Sequence, residues 1–445
     1  MGERRTVVAL GLIVGLVLAD SSVVILALPD ILDHFDVSID SVAWVLTLFN
    51  LVLAVVAVPA AYLSRRYPPG VVCSAGLLVF AAASLGCALA PDFTWLLVSR
   101  AGQAVGGAAA VCAALELLST VAGSEKRAVG VWAAAGGLGA AAGPAVGGVL
   151  TEAISWQAIF FVQVPLALAA LALIPHGSTR PAPVTAPAGR PALAANVSLA
   201  LLSAALTAAL FLVVLLLING WGHTPLAAAA VVTVMPLAAF ATYRLLPAGA
   251  PSARIRAICG AILIAGGLAA LALLPAAAWG WLVPPQVAIG VGFALSLGAL
   301  TQDALAGRSP LAIHGGWTLA ARHAGVCLGL LILTPIFTGD LVDQQNAAEL
   351  AGTRLILDSS LSLSQKVSLG SAIVAQVSSA SVTRPPNLHP AFQQAGDSPQ
   401  VHRLESAIQD QIERAVTHAF SSSFLVAALL ALLAALPLIR GRVDL

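Results

Sequence analysis

Asp20, Arg100, Glu116, Asp303 and Arg322 interrupt stretches of sequence that are otherwise almost wholly apolar, and Gln103 and His323 stand among them. In hydrocarbon an ionisable side chain costs roughly 2.5 kcal/mol or more, so such groups line a pathway or pair inside a bundle. The chemistry open to them is proton uptake and release, together with binding the polar part of a mostly apolar ligand. A carboxylate taken out of water favours its neutral form, whereas an adjacent guanidinium favours the ionised one. A carboxylate whose Arg neighbour can be displaced is therefore a proton switch.

The elements that carry these residues are membrane spans. Of 445 residues 59% are hydrophobic and 9% charged, with a mean hydropathy of +0.95, against roughly 25% charged in a soluble domain. Apolar runs near 7–28, 43–63, 71–90, 93–121, 129–150, 157–175, 194–218, 225–243, 257–277, 283–304, 311–337 and 420–439 are each near the about 20 residues a helix needs to cross a bilayer. Alternate connections hold the basic residues, among them Arg4, Arg5, Arg65, Arg66, Lys126, Arg127, Arg180, Arg190, Arg308 and Arg440. Basic loops stay on the cytoplasmic side, so both termini are cytoplasmic. Trp95, Trp156, Trp221, Trp279 and Trp281 fall at outer span ends, where an interfacial belt is expected.

The expected fold is an all-α membrane protein of two six-helix bundles with about 12 transmembrane helices. Residues 1–175 form the first bundle and 193–445 the second. The Pro- and Ala-rich segment 176–192 is a cytoplasmic linker. Residues 338–419 make a polar extracytoplasmic insertion of roughly 80 residues, long enough to be structured in part. Leu361–Val377 and Val401–Ala419 are its helical candidates, the second with Val401, Leu404, Ile408, Ile412, Ala415 and Val416 on one face. The cysteines, Cys73, Cys87, Cys112, Cys259 and Cys327, all lie in apolar runs and are expected to be buried free thiols. No metal-ligand cluster, Walker loop or cofactor motif is present, and the formal net charge of +1 gives no basis for a nucleic-acid partner.

Depth sorts the charged residues. Asp20 is about 15 residues from the inner end of the first span and Arg100 about 8 from the outer end of the fourth, so at 1.5 Å per residue they lie at similar height. They can pair, either as the switch or as a permanent tie between the two spans. Glu116 lies roughly 24 Å further toward the cytoplasm; it is a second proton site, or a carboxylate paired with an inner-end Arg such as Arg66. Arg322 falls near the bilayer middle and needs a carboxylate, backbone carbonyls or an anionic substrate group. His323 and His314 either take part in proton movement or are packing residues. Asp303, beside Gln302 at the inner end of the tenth span, is a further cavity candidate. In the fifth span Gly139, Gly143 and Gly147 recur every four residues, a stripe without side chains that admits a close neighbour, and Pro144 favours a kink. Gly325 and Gly329 echo that stripe in the eleventh span.

Several stretches together carry a family resemblance. They are LADSSVVILALPDI from Leu18, the Arg100-x-x-Gln103-x-x-Gly106 order, GGLGAAAGPAVGG from Gly136 to Gly148, and SWQAIFFVQVP from Ser155. The chain resembles the drug:proton antiporter branch of the major facilitator superfamily, particularly its 14-span type, although only about 12 spans fit. The resemblance covers most of residues 6–175 and is fainter beyond. It implies proton-coupling candidates Asp20 and Arg100, an antiporter signature at Gly139, Gly143, Pro144, Gly147 and Gly148, and a cavity lined by spans one, four, seven and ten. Gln103, Arg322, His323 and Asp303 are the substrate-cavity candidates, and Glu116 stands outside the family pattern. The cytoplasmic loop departs from that pattern, because AYLSRRYPPG carries Arg65, next to Arg66, where the family has an Asp.

These readings converge on a multi-pass protein of a bacterial plasma membrane that is not an enzyme. It is expected to export lipophilic or amphipathic small molecules by proton antiport. Two alternatives remain open: an exporter of one endogenous lipid or secondary metabolite, and a non-transporting sensor or scaffold that binds an extracytoplasmic partner through 338–419.

Overall fold

The computed structural model describes residues 2–174, 189–245, 251–379, 388–396 and 398–440, and among them every regular element is helical. The membrane-spanning set is α1 (Glu3–Phe35), α2 (Ile39–Arg66), α3 (Pro69–Ala88), α4 (Phe93–Val121), α5 (Glu125–Ala153), the shorter α6 (Ala158–Leu171), α7 (Leu193–Gly220), α8 (Pro225–Leu245), α9 (Ala253–Ala272), α10 (Trp279–Leu305) and α11 (Leu311–Asp358). The extracytoplasmic α12 (Leu363–Ser379) and α13 (His389–Ala395) follow. Last comes α14 (Pro399–Ile439), whose second half makes the final crossing. The expected linker 176–192 falls almost wholly outside the described residues.

Local chemistry sets many of these ends. The Asp92 carboxylate accepts the Trp95 N–H at 2.8 Å at the start of α4, and Ser124 accepts from Arg127 at the start of α5, each satisfying a donor the helix itself leaves orphaned. α1 outlasts its apolar run because Pro29 sits in a first-turn position of a new helical segment, Leu28–Phe35, where a missing N–H costs nothing. Asp36, with φ 52°, then ends it in the left-handed conformation. α5 runs unbroken through Pro144, so the expected kink is not a break in the helix.

Close helix contacts repeat six helices apart. Gly139, Gly143 and Gly147 on α5 lie against the backbone of α1 at Gly15 and Val23, with the Ser22 side chain also against Gly143, while Gly325 and Gly329 on α11 lie against the backbone of α7 at Ala200 and Ala204. Gly76 of α3 meets Gly106 of α4, and Gly260 of α9 meets Gly292 of α10. A β-carbon at any of these positions would collide with backbone, which explains why such large spans converge on single glycines. The two sets of six also meet each other, α2 against α11 and α5 against α8.

The insertion is more ordered than its polarity suggests. α11 continues past Phe337 to Asp358; α12 and the first half of α14 fold onto that helix, and α13 packs on both of them. Leu361, Leu369, Leu388, Phe392, Val401, Leu404 and Ile408 form a small apolar core of their own. The face expected on Val401–Ala419 is therefore the one that packs. Trp221 at the end of α7 ties the cap to the membrane part by donating its indole N–H to Thr417 at 3.1 Å.

Two sequence expectations are corrected. Trp95, Trp279 and Trp281 are exposed as a belt requires, but Trp156 is 5% exposed and packs on His34, Phe35 and Phe160. Cys259 is exposed rather than buried, because it falls on the outward face of α9; Cys73, Cys87, Cys112 and Cys327 are buried.

Candidate functional site

The spans bring Asp20 and Arg100 into direct contact, although 80 residues separate them in sequence. Both side chains are fully buried. One carboxylate oxygen of Asp20 takes the Arg100 Nη1 donor; the other accepts from Gln163 Nε2 at 2.7 Å and from Gln103 Nε2 at 3.3 Å. Gln103 also accepts from Arg100 Nη1 at 2.6 Å and donates to Ser84 at 2.8 Å and to Gln163 Oε1 at 2.7 Å. α1, α3, α4 and α6 thus share one polar knot, whose members would each be orphaned without the others.

The guanidinium is held through Nε, Nη1 and its flat face. Its Nε donates to the Val45 carbonyl of α2 at 3.1 Å, and its plane lies over the Phe49 ring with 4.2 Å to the centroid. Only Nη2 has no partner among the described residues. A buried pair of this kind is costly to break from one side, since removing either charge strands the other. Its geometry can store a proton only if Arg100 moves.

The other candidates separate by position. Glu116, near the inner end of α4, pairs at 3.9 Å with Arg65 of α2, not with Arg66. Its carboxylate also lies close to the Ala312 backbone N–H, one of the orphan donors that begin α11. Gln103 belongs to the Asp20 knot and is not in the wall of the central cavities around Arg322. Asp303 is exposed at the end of α10, because the last turn of that helix carries it out of the bundle. His323 is buried, with Nδ1 2.6 Å from Asn50 Oδ1 of α2.

Arg322 faces the middle of the molecule. Two cavities of about 70 and about 10 Å³ share Leu18, Leu297 and Arg322 in their walls. The larger also meets Ser22 of α1, Ala140 of α5, Thr207 of α7 and Met235 of α8. α1, α7 and α10 line it as expected, but α4 does not; α5, α8 and α11 take part instead. A drug-sized ligand needs roughly 300 Å³ or more, so this is a closed state.

Contacts at both ends account for the closure. On the inner side Gly316 of α11 lies against Ala57 and Ala61 of α2, and Gly315 against Leu115 of α4. On the outer side Gly148 of α5 lies against Pro225 and Ala229 of α8, and the Glu152 carboxylate accepts from the Leu226 N–H at 3.5 Å. A separate cavity of about 590 Å³ lies further out, between the ends of α7 and α8 and the cap, with Asp30, Trp221, Phe392, Glu405 and Glu413 in its wall.

Sequence reasoning did not single out Gln163, Ser84 or Asn50. Each is a polar residue in an apolar run, the same signal that marked Gln103, and each finds its partner on a different helix.

A family model described as Major Facilitator Superfamily matches residues 10–343. The chain is 34% identical over 167 residues to the multidrug resistance protein Stp of Mycobacterium tuberculosis, a match covering 37% of this chain and 31% of that protein. It is 33% identical over 168 residues to the tetracenomycin C resistance and export protein of Streptomyces glaucescens, again covering 37% and 31%. The matched stretch therefore spans about a third of the length of these relatives. In fold the chain is similar to the crystal structure of a bacterial homolog to the human lysosomal transporter Spinster, in an inward-facing and unoccupied conformation. The TM-score there is 0.62 at 17% identity, covering 99% of this chain and 98% of that one.

Proposed function

The chain belongs to the major facilitator superfamily, and on that premise we propose that it exports amphipathic or lipophilic small molecules from a bacterial cell in exchange for protons. The observation that carries this reading is the Asp20 carboxylate, fully buried and held by a guanidinium whose contacts come from other helices. When α1 and α4 shift relative to one another, Arg100 withdraws and the carboxylate takes a proton from the outer side. When Arg100 returns on the inward-facing side, that proton leaves to the cytoplasm.

The proposed halves, 1–175 and 193–445 joined by 176–192, rock about the central cavity, so that the inner contacts at Gly316 and the outer contacts at Gly148 open in turn. Efflux of a lipophilic dye from energised inverted vesicles tests this. Wild type is expected to move the dye with a dependence on the pH gradient that Asp20→Asn abolishes. Unchanged gradient dependence in Asp20→Asn removes the residue from the coupling.

A second reading has its own support. The locked Asp20–Arg100 pair and the small central cavity also suit a non-transporting sensor whose cap binds an extracytoplasmic partner. Such a protein moves no substrate under any gradient, which the same vesicles report. The exporter of a single endogenous lipid differs again, by moving one member of a broad lipophilic panel. The outer cavity of about 590 Å³ would then receive its cargo.

A further inference from the structure

The export reading leaves the kind of substrate open, and the charge of the central cavity narrows it. Arg322 lines both parts of that cavity and is the single Lys, Arg, Asp or Glu side chain in its wall. Among the described residues its guanidinium makes no hydrogen bond and no ion pair; Tyr243 of α8 is within electrostatic reach, but a neutral phenol supplies no counter-charge. The Arg322 Nη1 points toward Gly136 of α5, across the interface between the two sets of helices. The acids of the membrane region are all committed elsewhere. Asp20 has both carboxylate oxygens occupied by Arg100, Gln103 and Gln163; Glu116 pairs with Arg65; Asp303 is exposed at the cytoplasmic end.

An unpaired guanidinium at mid-bilayer is among the most expensive groups a membrane protein can keep. A counter-charge arriving with the ligand recovers that cost and forms charge-assisted, bidentate hydrogen bonds. We propose that the substrate is an acidic amphiphile, a carboxylate, sulfonate or phosphate monoanion on an apolar body, and that Arg322 is its anchor. The apolar body lies against Leu18, Leu297 and Val326, with Ser22 and Thr207 for further polar atoms. A permanent organic cation meets repulsion at the same place. The outer cavity carries the opposite sign, with Asp30, Glu405 and Glu413 in its wall, so an anion released there is not retained.

This inference rests on the export reading for its transport arm but has a binding arm of its own. Pyrene-1-sulfonate and (1-pyrenylmethyl)trimethylammonium share an aromatic body and differ in charge. In proteoliposomes of the full chain under a proton gradient, wild type is expected to transport the sulfonate about tenfold or more faster than the ammonium, and Arg322→Gln to lose about tenfold or more of the sulfonate rate. Arg322→Lys, which keeps the charge and loses the bidentate fork, is expected to retain part of it. Fluorescence titration of detergent-purified protein with the sulfonate gives the binding arm, with thermal stability checking that each variant is folded. Transport of the ammonium but not the sulfonate overturns the proposal. If neither probe moves, the export reading fails, yet sulfonate binding that weakens in a folded Arg322→Gln sustains the anchor; binding indifferent to Arg322 overturns it.

Discussion

Arg65 Nη1 stands 3.9 Å from Glu116 Oε1, the inner end of α2 against the inner end of α4, and the same Glu116 carboxylate lies close to the Ala312 N–H at the start of α11. The basic residue that departs from the family loop and the acidic residue that stands outside the family pattern thus answer each other. Both side chains keep some water contact, 14% and 12% exposed, so the ion pair alone is worth about 1 kcal/mol or less. Its importance lies in where it acts: the carboxylate ties α2 to α4 beside the start of α11, at the end that must open to the cytoplasm.

Removing that bridge should favour the inward-open state. Cys112 lies one helical turn above Glu116, buried, with its thiol 3.3 Å from the Ala57 carbonyl. In Glu116→Gln the maleimide labelling rate of Cys112 from the cytoplasmic side is expected to rise several-fold, while Glu116→Asp falls between. Equal rates in wild type and Glu116→Gln contradict a latch. A charge reversal, Arg65→Glu with Glu116→Arg, should not restore wild-type protection, because an Arg at position 116 meets the positive N-terminal end of α11, which Glu116 complements.

The buried pair above it predicts an asymmetric mutational response. Asp20→Asn strands the Arg100 charge among Phe49, Phe160 and the Val45 carbonyl, and a buried pair broken from one side costs about 3–5 kcal/mol. Asp20→Asn should therefore lower thermal stability clearly. Asp20→Asn combined with Arg100→Gln should recover most of that loss, since neutral amides can still share the knot with Gln103 and Gln163. Thermal unfolding in detergent measures both, and a double variant no more stable than the single one contradicts the stranded-charge account.

The spans, their order and the Asp20–Arg100 contact were legible in the sequence because each depends on one-dimensional quantities: length of an apolar run, alternation of basic loops, and rise per residue. Which inner Arg meets Glu116 was not, since Arg65 and Arg66 differ by a rotation of about 100° about the same helix, and only the placement of α4 selects between them. Gln103 was read as a cavity residue for the same reason. Its depth was right, but the face it occupies turns inward to Gln163, which the short α6 supplies from 60 residues away. The cap was legible in part, as two helices and the apolar face of the second, but its core escaped for another cause. Its apolar residues are sparse, and their core forms only when α12, α13 and α14 fold together with the extended α11.

Alternating access requires the inner seal to part. A β-carbon at Gly316 would stand 2.9 Å from the Ala61 Cβ, a little inside the roughly 3.5–4.5 Å that a disulfide spans. In a background without native cysteines, Ala61→Cys with Gly316→Cys should cross-link under oxidation. Transport should then fall at least tenfold and return on reduction. Cross-linked protein that still transports would mean that α2 and α11 do not separate there.

The cap gives a prediction that separates its folding from that of the membrane part. Leu404 is 7% exposed and sits with Phe392, Val401 and Ile408 in the small apolar core. An Asp at this position places a charge inside that apolar core, which costs several kcal/mol and exceeds what so small a core can supply. Leu404→Asp is therefore expected to make residues 338–419 sensitive to protease added from the outer side, while the transmembrane helices remain protected and the α7 contact at Trp221–Thr417 is the boundary of the damage. Limited proteolysis of spheroplasts reads the first effect and dye efflux reads its consequence. Efflux preserved in a cleaved cap assigns the stretch to something other than the transport path, and efflux lost with the membrane helices intact makes it part of that path.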